Sequence, residues 1–223
     1  MRCGLLGLLL TLWCGATLPA ATPGGHPVLV NWVRHTFFPS FQPPDTDSRW
    51  DIPAEANPNH GQLPVNLRSG LLGGSIDLGL ARRQYEIEEP FVLVLGLWQP
   101  NAGTPRLASL AAFQLSPEQW RALWAPVTYA DLLRLEDIVL DPGRSIEETR
   151  RLVLQMKKAP PFSESKIQMA PVIDPVQRQL RCSIRADDAL RLLAPDSPAA
   201  PPPALTLWGV AYPDGTPAPT PAK

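Results

Sequence analysis

The chain has 223 residues, 44% of them hydrophobic and 18% charged, with 28 prolines and a formal net charge of −1. That length and apolar content suit one domain with a real core and an appended tail, and the prolines assign part of the chain to unpacked sequence. The near-neutral charge excludes a wholly basic nucleic-acid binder and any global attraction to an anionic membrane; only a local basic groove is left open.

The amino terminus reads as a targeting segment. Met1-Arg2 is a minimal positive region, and GLLGLLLTLW is an apolar run too short to span a bilayer comfortably. Small residues follow, so residues 1–21 are expected to be a signal peptide cleaved after Ala20 or Ala21. The alternatives are a misassigned start codon and an uncleaved anchor. Export places the mature protein in the periplasm or outside the cell, with no stable membrane insertion once the signal is removed; a wrong start leaves it in the cytoplasm. Cys14 follows Thr11-Leu12-Trp13 rather than small residues, which argues against a lipoprotein anchor. Cys3 and Cys14 leave with the signal. The remaining Cys182 cannot form an internal disulfide, and with His26, His35 and His60 scattered it builds no zinc site.

A globular domain is expected over residues 27–194. PVLVNWVRHTFF (Pro27 to Phe38) is apolar and β-prone, and the prolines and acids after it mark a loop. WDIPA and LPVNLR are two short strand candidates joined by the turn-rich EANPNHGQ. Ser75 to Ile87 reads as a helix capped by Ser75, with Asp77 in its first turn and Leu78, Ala81 and Tyr85 on one face. FVLVLGLW (Phe91 to Trp98) suits a strand buried on both faces.

Three helix starts share one grammar. SPEQ opens at Ser116 and leads into Trp120, Leu123 and Trp124, which read as core. TYAD opens at Thr128, and SIEE at Ser145 caps a helix through about Lys158. KIQMAPVI and RQLRCSIR then flank Asp174-Pro175 as a hairpin; Leu180, Cys182 and Ile184 alternate with Arg181, Ser183 and Arg185, one face apolar and the other basic. ADDALRLLA is a short helix. Residues 195–223 read as a proline-rich, largely disordered tail in which LTLWGVAY offers an edge strand. The fold class expected is α/β or α+β, a single domain with a small mixed sheet flanked by helices.

The order over Trp50 to Trp98 is a strand with an acid, a strand with polar-x-base, a helix and a buried strand. This order resembles the core of the restriction-endonuclease-like nucleases, the PD-(D/E)xK superfamily, over about a fifth of the chain. The resemblance implies a Mg²⁺-dependent endonuclease hydrolysing DNA phosphodiester bonds. One or two Mg²⁺ ions held by carboxylates acidify a water and stabilise the phosphoryl oxygens, and a lysine orients that water and offsets charge. It assigns Asp51 as metal ligand and Asp51, Asn66 and Arg68 as the catalytic positions. Asn66 stands where the family has an acid, and Arg68 where it has lysine. The second departure matters more, because a guanidinium with pKa above about 12 is a poor general base.

Glu55, Asp77, Glu86, Glu88 and Glu89 are further acids that could complete a site, although each also reads as a solvated or dipole-paired side chain. Arg82 and Arg83, with Arg178, Arg181 and Arg185, are the candidate DNA contacts, since phosphate neutralisation provides most nucleic-acid affinity; a charged outer face is the plainer reading. No GxSxG, HExxH, GxGxxG or GxxxxGK[ST] is present. The function expected is a nuclease-like domain with a degenerate catalytic strand. The alternative is an exported, non-enzymatic binding or assembly protein of the cell envelope.

Overall fold

A computed structural model describes residues 25–43, 48–99, 106–193 and 205–213. The expected signal peptide, with Cys3 and Cys14, lies outside them. In chain order the strands are β1 (Val65–Leu71), β2 (Ser75–Leu80), β3 (Phe91–Trp98), β4 (Leu107–Leu115), β5 (Ile167–Met169), β6 (Val172–Ile173), β7 (Arg178–Gln179), β8 (Arg181–Arg185), β9 (Thr206–Leu207) and β10 (Val210–Ala211). The helices are α1 (Gly25–Phe37), α2 (Ala81–Tyr85), α3 (Pro117–Trp124), α4 (Tyr129–Leu140), α5 (Ile146–Lys157) and α6 (Ala186–Leu193). A mixed six-stranded sheet runs β4-β3-β1-β2-β8-β5, with β1 and β3 parallel and the other neighbours antiparallel. The expected fold class holds: a mixed α/β domain whose sheet is flanked by helices.

Each face of the sheet carries its own core. On β3, Leu93, Leu95 and Leu97 join Trp120, Trp124, Leu132, Leu135 and Val153 from α3 to α5. Val92, Val94 and Trp98 alternate to the other face and meet Val28, Leu29 and Val33 of α1. All eight residues of β3 are buried, which is why its sequence is continuously apolar. Fully burying each such side chain contributes about 1.5–3 kcal/mol. Gly96 sets how close α1 comes: a Cβ there would lie 2.8 Å from Leu29 Cδ2.

The three capped helices form as expected. Ser116 with Gln119, and Thr128 with Asp131, close reciprocal capping boxes, and the Ser145 hydroxyl accepts from the Glu148 amide; each cap stabilises by about 1 kcal/mol. The hairpin across Asp174-Pro175 also forms, as β5-β6 returning through β7-β8.

Several expectations are corrected. Pro27 to Phe38 lies almost wholly in helix α1; Leu29 and Val33, four apart, are both fully buried, and Pro27 sits in the first turn, where its missing N–H costs nothing. Ser75 to Ile87 is not one helix. Ser75 and Asp77 are exposed while Ile76 and Leu78 are buried, a period of two, so Ser75–Leu80 is strand and only Ala81–Tyr85 turns helical. Ser75 therefore caps nothing and Asp77 meets no helix dipole. WDIPA contributes a single bridge, Ile52 to Val65, followed by a 3-10 turn at Ala54–Ala56. The element order behind the family resemblance therefore differs here: a strand, β2, stands between the Arg68 strand and the helix. Strand β4 was not anticipated. Within the tail, Leu205–Pro213 carries the separate two-stranded hairpin β9-β10, rather than an edge strand, with Leu207 and Tyr212 buried in the α1-side core. Among the described residues no helix is long and apolar enough to cross a membrane.

Candidate functional site

Asp51, Asn66 and Arg68 come together where β1 and β2 part. The two strands share the pair Gly70–Ile76. Beyond it the Arg68 guanidinium lies between them: Nε donates to Leu78 O at 3.0 Å, Nη1 to Leu67 O at 2.7 Å, and Nη2 approaches Asn66 Oδ1 at 3.4 Å. Nη1 also donates to Asp51 Oδ2 at 2.9 Å. Four of the five guanidinium N–H directions at most are thereby accounted for, and two of the acceptors are main-chain carbonyls that a ladder would otherwise use.

Asp51 is committed through its main chain and through one carboxylate oxygen, Oδ2. Its amide and that of Ile52 donate to Val65 O, which fixes the residue beside the first residue of β1. Its Oδ2 accepts the Leu67 amide at 2.8 Å as well as Arg68. Arg34 of α1 reaches the Asp51 carbonyl at 3.5 Å, and its buried Nε has no partner.

Asn66 and Gly79 both lie beside the Arg68 guanidinium. Asn66 is 1% exposed and its Nδ2 has no partner. Gly79 sits at φ +104°, at the irregularity in the β2–β8 register. A Cβ there would stand 3.9 Å from both Arg68 Nη2 and Gln84 Nε2, in ordinary contact, so it is the positive φ rather than space that favours glycine at this position. His26, in the first turn of α1, keeps solvent access. Crowding by the surrounding protein, then the Arg68 guanidinium, hold its imidazole below the ordinary pKa, against the pull of Asp51 and Asp77.

The other acids do not converge on Asp51. Asp77 takes Arg181 Nη2 at 2.7 Å across β2–β8. Glu86 accepts from Tyr129 at 2.7 Å and pairs with Arg82 and Arg49. Glu89 accepts from Trp50 Nε1, and Glu55 and Glu88 are exposed. Among the described residues no three His, Cys, Asp or Glu side chains gather within reach of one metal ion.

The candidate DNA contacts are distributed differently. Arg82 and Arg83 lie on α2, Arg82 between Glu86 and Glu136. Arg178 spends its guanidinium on the carbonyls of Asp141 and Arg144, pinning the α4–α5 loop to β7. Arg181 and Arg185 lie on β8 two strands from Arg68; Arg185 is exposed and within 3.9 Å of Asp187. His26, Arg34, Gly79 and Gln84 at the site were not anticipated. Arg34 reaches it from seventeen residues before Asp51 and His26 from earlier on the same helix, and no local spacing announces such a contact. Comparison with protein-family models, with curated proteins and with solved structures found no match.

Proposed function

We propose that the chain is a nuclease-like domain of the restriction-endonuclease type whose catalytic position has become an internal ion pair, and that it engages DNA without hydrolysing it. The observation that carries this reading is the Asp51–Arg68 pair at 2.9 Å. The carboxylate that would hold Mg²⁺ already has a cation beside it and a main-chain N–H on the same oxygen. Asn66 adds a neutral oxygen where a second carboxylate would be needed, and that oxygen also faces the guanidinium. Mg²⁺ favours octahedral oxygen sites built on carboxylates; this set does not suit it, and a guanidinium cannot serve as the base. Arg185, about half exposed and approached by Asp187 only at 3.9 Å, supports backbone contact; Arg82 would have to exchange Glu86 and Glu136 for phosphate.

The test uses purified protein with labelled duplex and single-stranded DNA in a salt series, and with supercoiled plasmid in Mg²⁺ or Mn²⁺ beside Asp51→Ala. Salt-sensitive binding without cutting is expected. Metal-dependent cutting that disappears in Asp51→Ala would make the protein a working nuclease. Absence of binding even at low salt would leave the non-enzymatic envelope protein as the better reading, in keeping with the signal peptide expected from the sequence. Asn66→Asp with Arg68→Lys restores the family's residues; Mn²⁺ is expected to raise the melting temperature of that double variant and not of the parent.

A further inference from the structure

Helix α5 ends at Lys157 with Lys158 as its cap, and the loop after it returns to β5 at the sheet edge. Between them is a hollow of about 320 Å³, near the lower end for small-ligand sites. Leu154, Phe162 and Met169 give it apolar walls; Lys157, Lys158 and Gln168 add polar groups. Leu154 is 53% exposed, an apolar side chain with nothing over much of its surface.

The charges do not balance. Neither lysine has an acidic partner among the described residues, and no carboxylate lines the hollow; Glu164 on the adjoining loop is exposed. The carbonyl end of α5 offsets at most about half a unit charge, which leaves the half-buried Lys157 uncompensated, with the exposed Lys158 adding positive charge at the rim. Burial alone pushes the Lys157 ammonium below its ordinary pKa. A partly desolvated cation without a counter-charge is costly, and a bound anion removes that cost.

We propose that this hollow binds a small amphiphilic anion: a carboxylate or phosphate monoester on an alkyl or aromatic body. The head group supplies the counter-charge for Lys157 and Lys158, and the body covers Leu154 and lies against Phe162 and Met169. Nothing in this depends on the nuclease-like reading of the Asp51 site.

The experiment titrates the full chain with decanoate, and separately with phenyl phosphate, following backbone amide shifts by NMR. Saturable shifts centred on residues 154–169 are expected with at least one probe. Affinity should fall at least tenfold in Lys157→Gln/Lys158→Gln and stay unchanged in the distant charge control Arg106→Gln; decanol should bind far more weakly than decanoate. The amide spectrum of each variant reports that it is folded. Shifts centred elsewhere, an affinity unaltered in the double lysine variant, or no saturation with either probe would overturn the proposal.

Discussion

Asp51 and Arg68, seventeen residues apart, meet at 2.9 Å with side chains only 23% and 15% exposed, and the Arg68 fork ties β1 to β2 where their ladder has opened. Loss of one partner strands the other in a half-buried setting. Arg68→Met is expected to cost about 3 kcal/mol and Asp51→Asn about 2 kcal/mol. Arg68→Lys should fall between them and the parent, because an ammonium can meet Asp51 but cannot also span Leu67 O and Leu78 O. Urea unfolding of the single and double variants measures this. A coupling energy near zero between positions 51 and 68 would mean that the pair is not what holds the strands.

How much of this was legible in the sequence depended on the range of the signal. Caps at Ser116, Thr128 and Ser145 are local chemistry, read over three residues, and they were found. The buried strand β3 announced itself by eight apolar residues. Leu78, Ala81 and Tyr85 misled, because a strand running directly into one helical turn places them at helix-like spacing; the alternation from Ser75 to Leu78 was the better guide. Val28 to Val33 contains β-branched residues whose preference lost to packing of α1 on Gly96. Asp51, Asn66 and Arg68 are grouped by an element order that resembles a nuclease core, and they do meet. Their internal pairing was not legible, since nothing along the chain says whether an arginine will point at the acid or away from it.

Glu86 gives the pH prediction. The Tyr129 hydroxyl, followed by Arg82, holds its carboxyl below the ordinary value of 4.5, while burial opposes them. A depressed folded pKa means that this stabilisation is complete above the unfolded value and is lost as pH falls through the folded one. Tyr129→Phe removes the main cause. The stability difference between parent and Tyr129→Phe should therefore be constant near neutrality and shrink on acidification below about pH 4.5. Urea midpoints collected between pH 3 and 7 decide it; a difference that grows toward acid would contradict the assignment.

The carboxy-terminal hairpin turns on Trp208 and Gly209, both at positive φ (48° and 83°), the backbone of a two-residue type I′ turn. Trp208 stacks on His60 at 4.2 Å and meets Phe37 edge-on at 5.0 Å. Removing the ring should cost about 2–3 kcal/mol. The backbone adds an unusual ranking: Trp208→Gly is expected to be less damaging than Trp208→Ala by up to about 1 kcal/mol, because glycine relieves the left-handed strain. Thermal melts of the two variants compare them directly. An alanine variant as stable as the parent would show that the hairpin does not anchor α1.

Cys182 lies at the centre of β8, between β2 and β5, with no exposed surface. Burial, reinforced by the Asp77 carboxylate, pushes its thiol far above the ordinary range. Only a thiolate reacts readily with disulfide reagents, so labelling requires β8 to open. In a chain carrying Cys3→Ser and Cys14→Ser, the native protein should resist an aromatic disulfide reagent at pH 8 and react at once in denaturant. The rate then reports the free energy of opening this half of the sheet. If Arg68 is what joins β1 to β2, Arg68→Met should accelerate labelling by about a hundredfold, matching its loss of about 3 kcal/mol. Acceleration that falls well short of the stability lost would place the opening at the β5 edge, independent of the Arg68 junction.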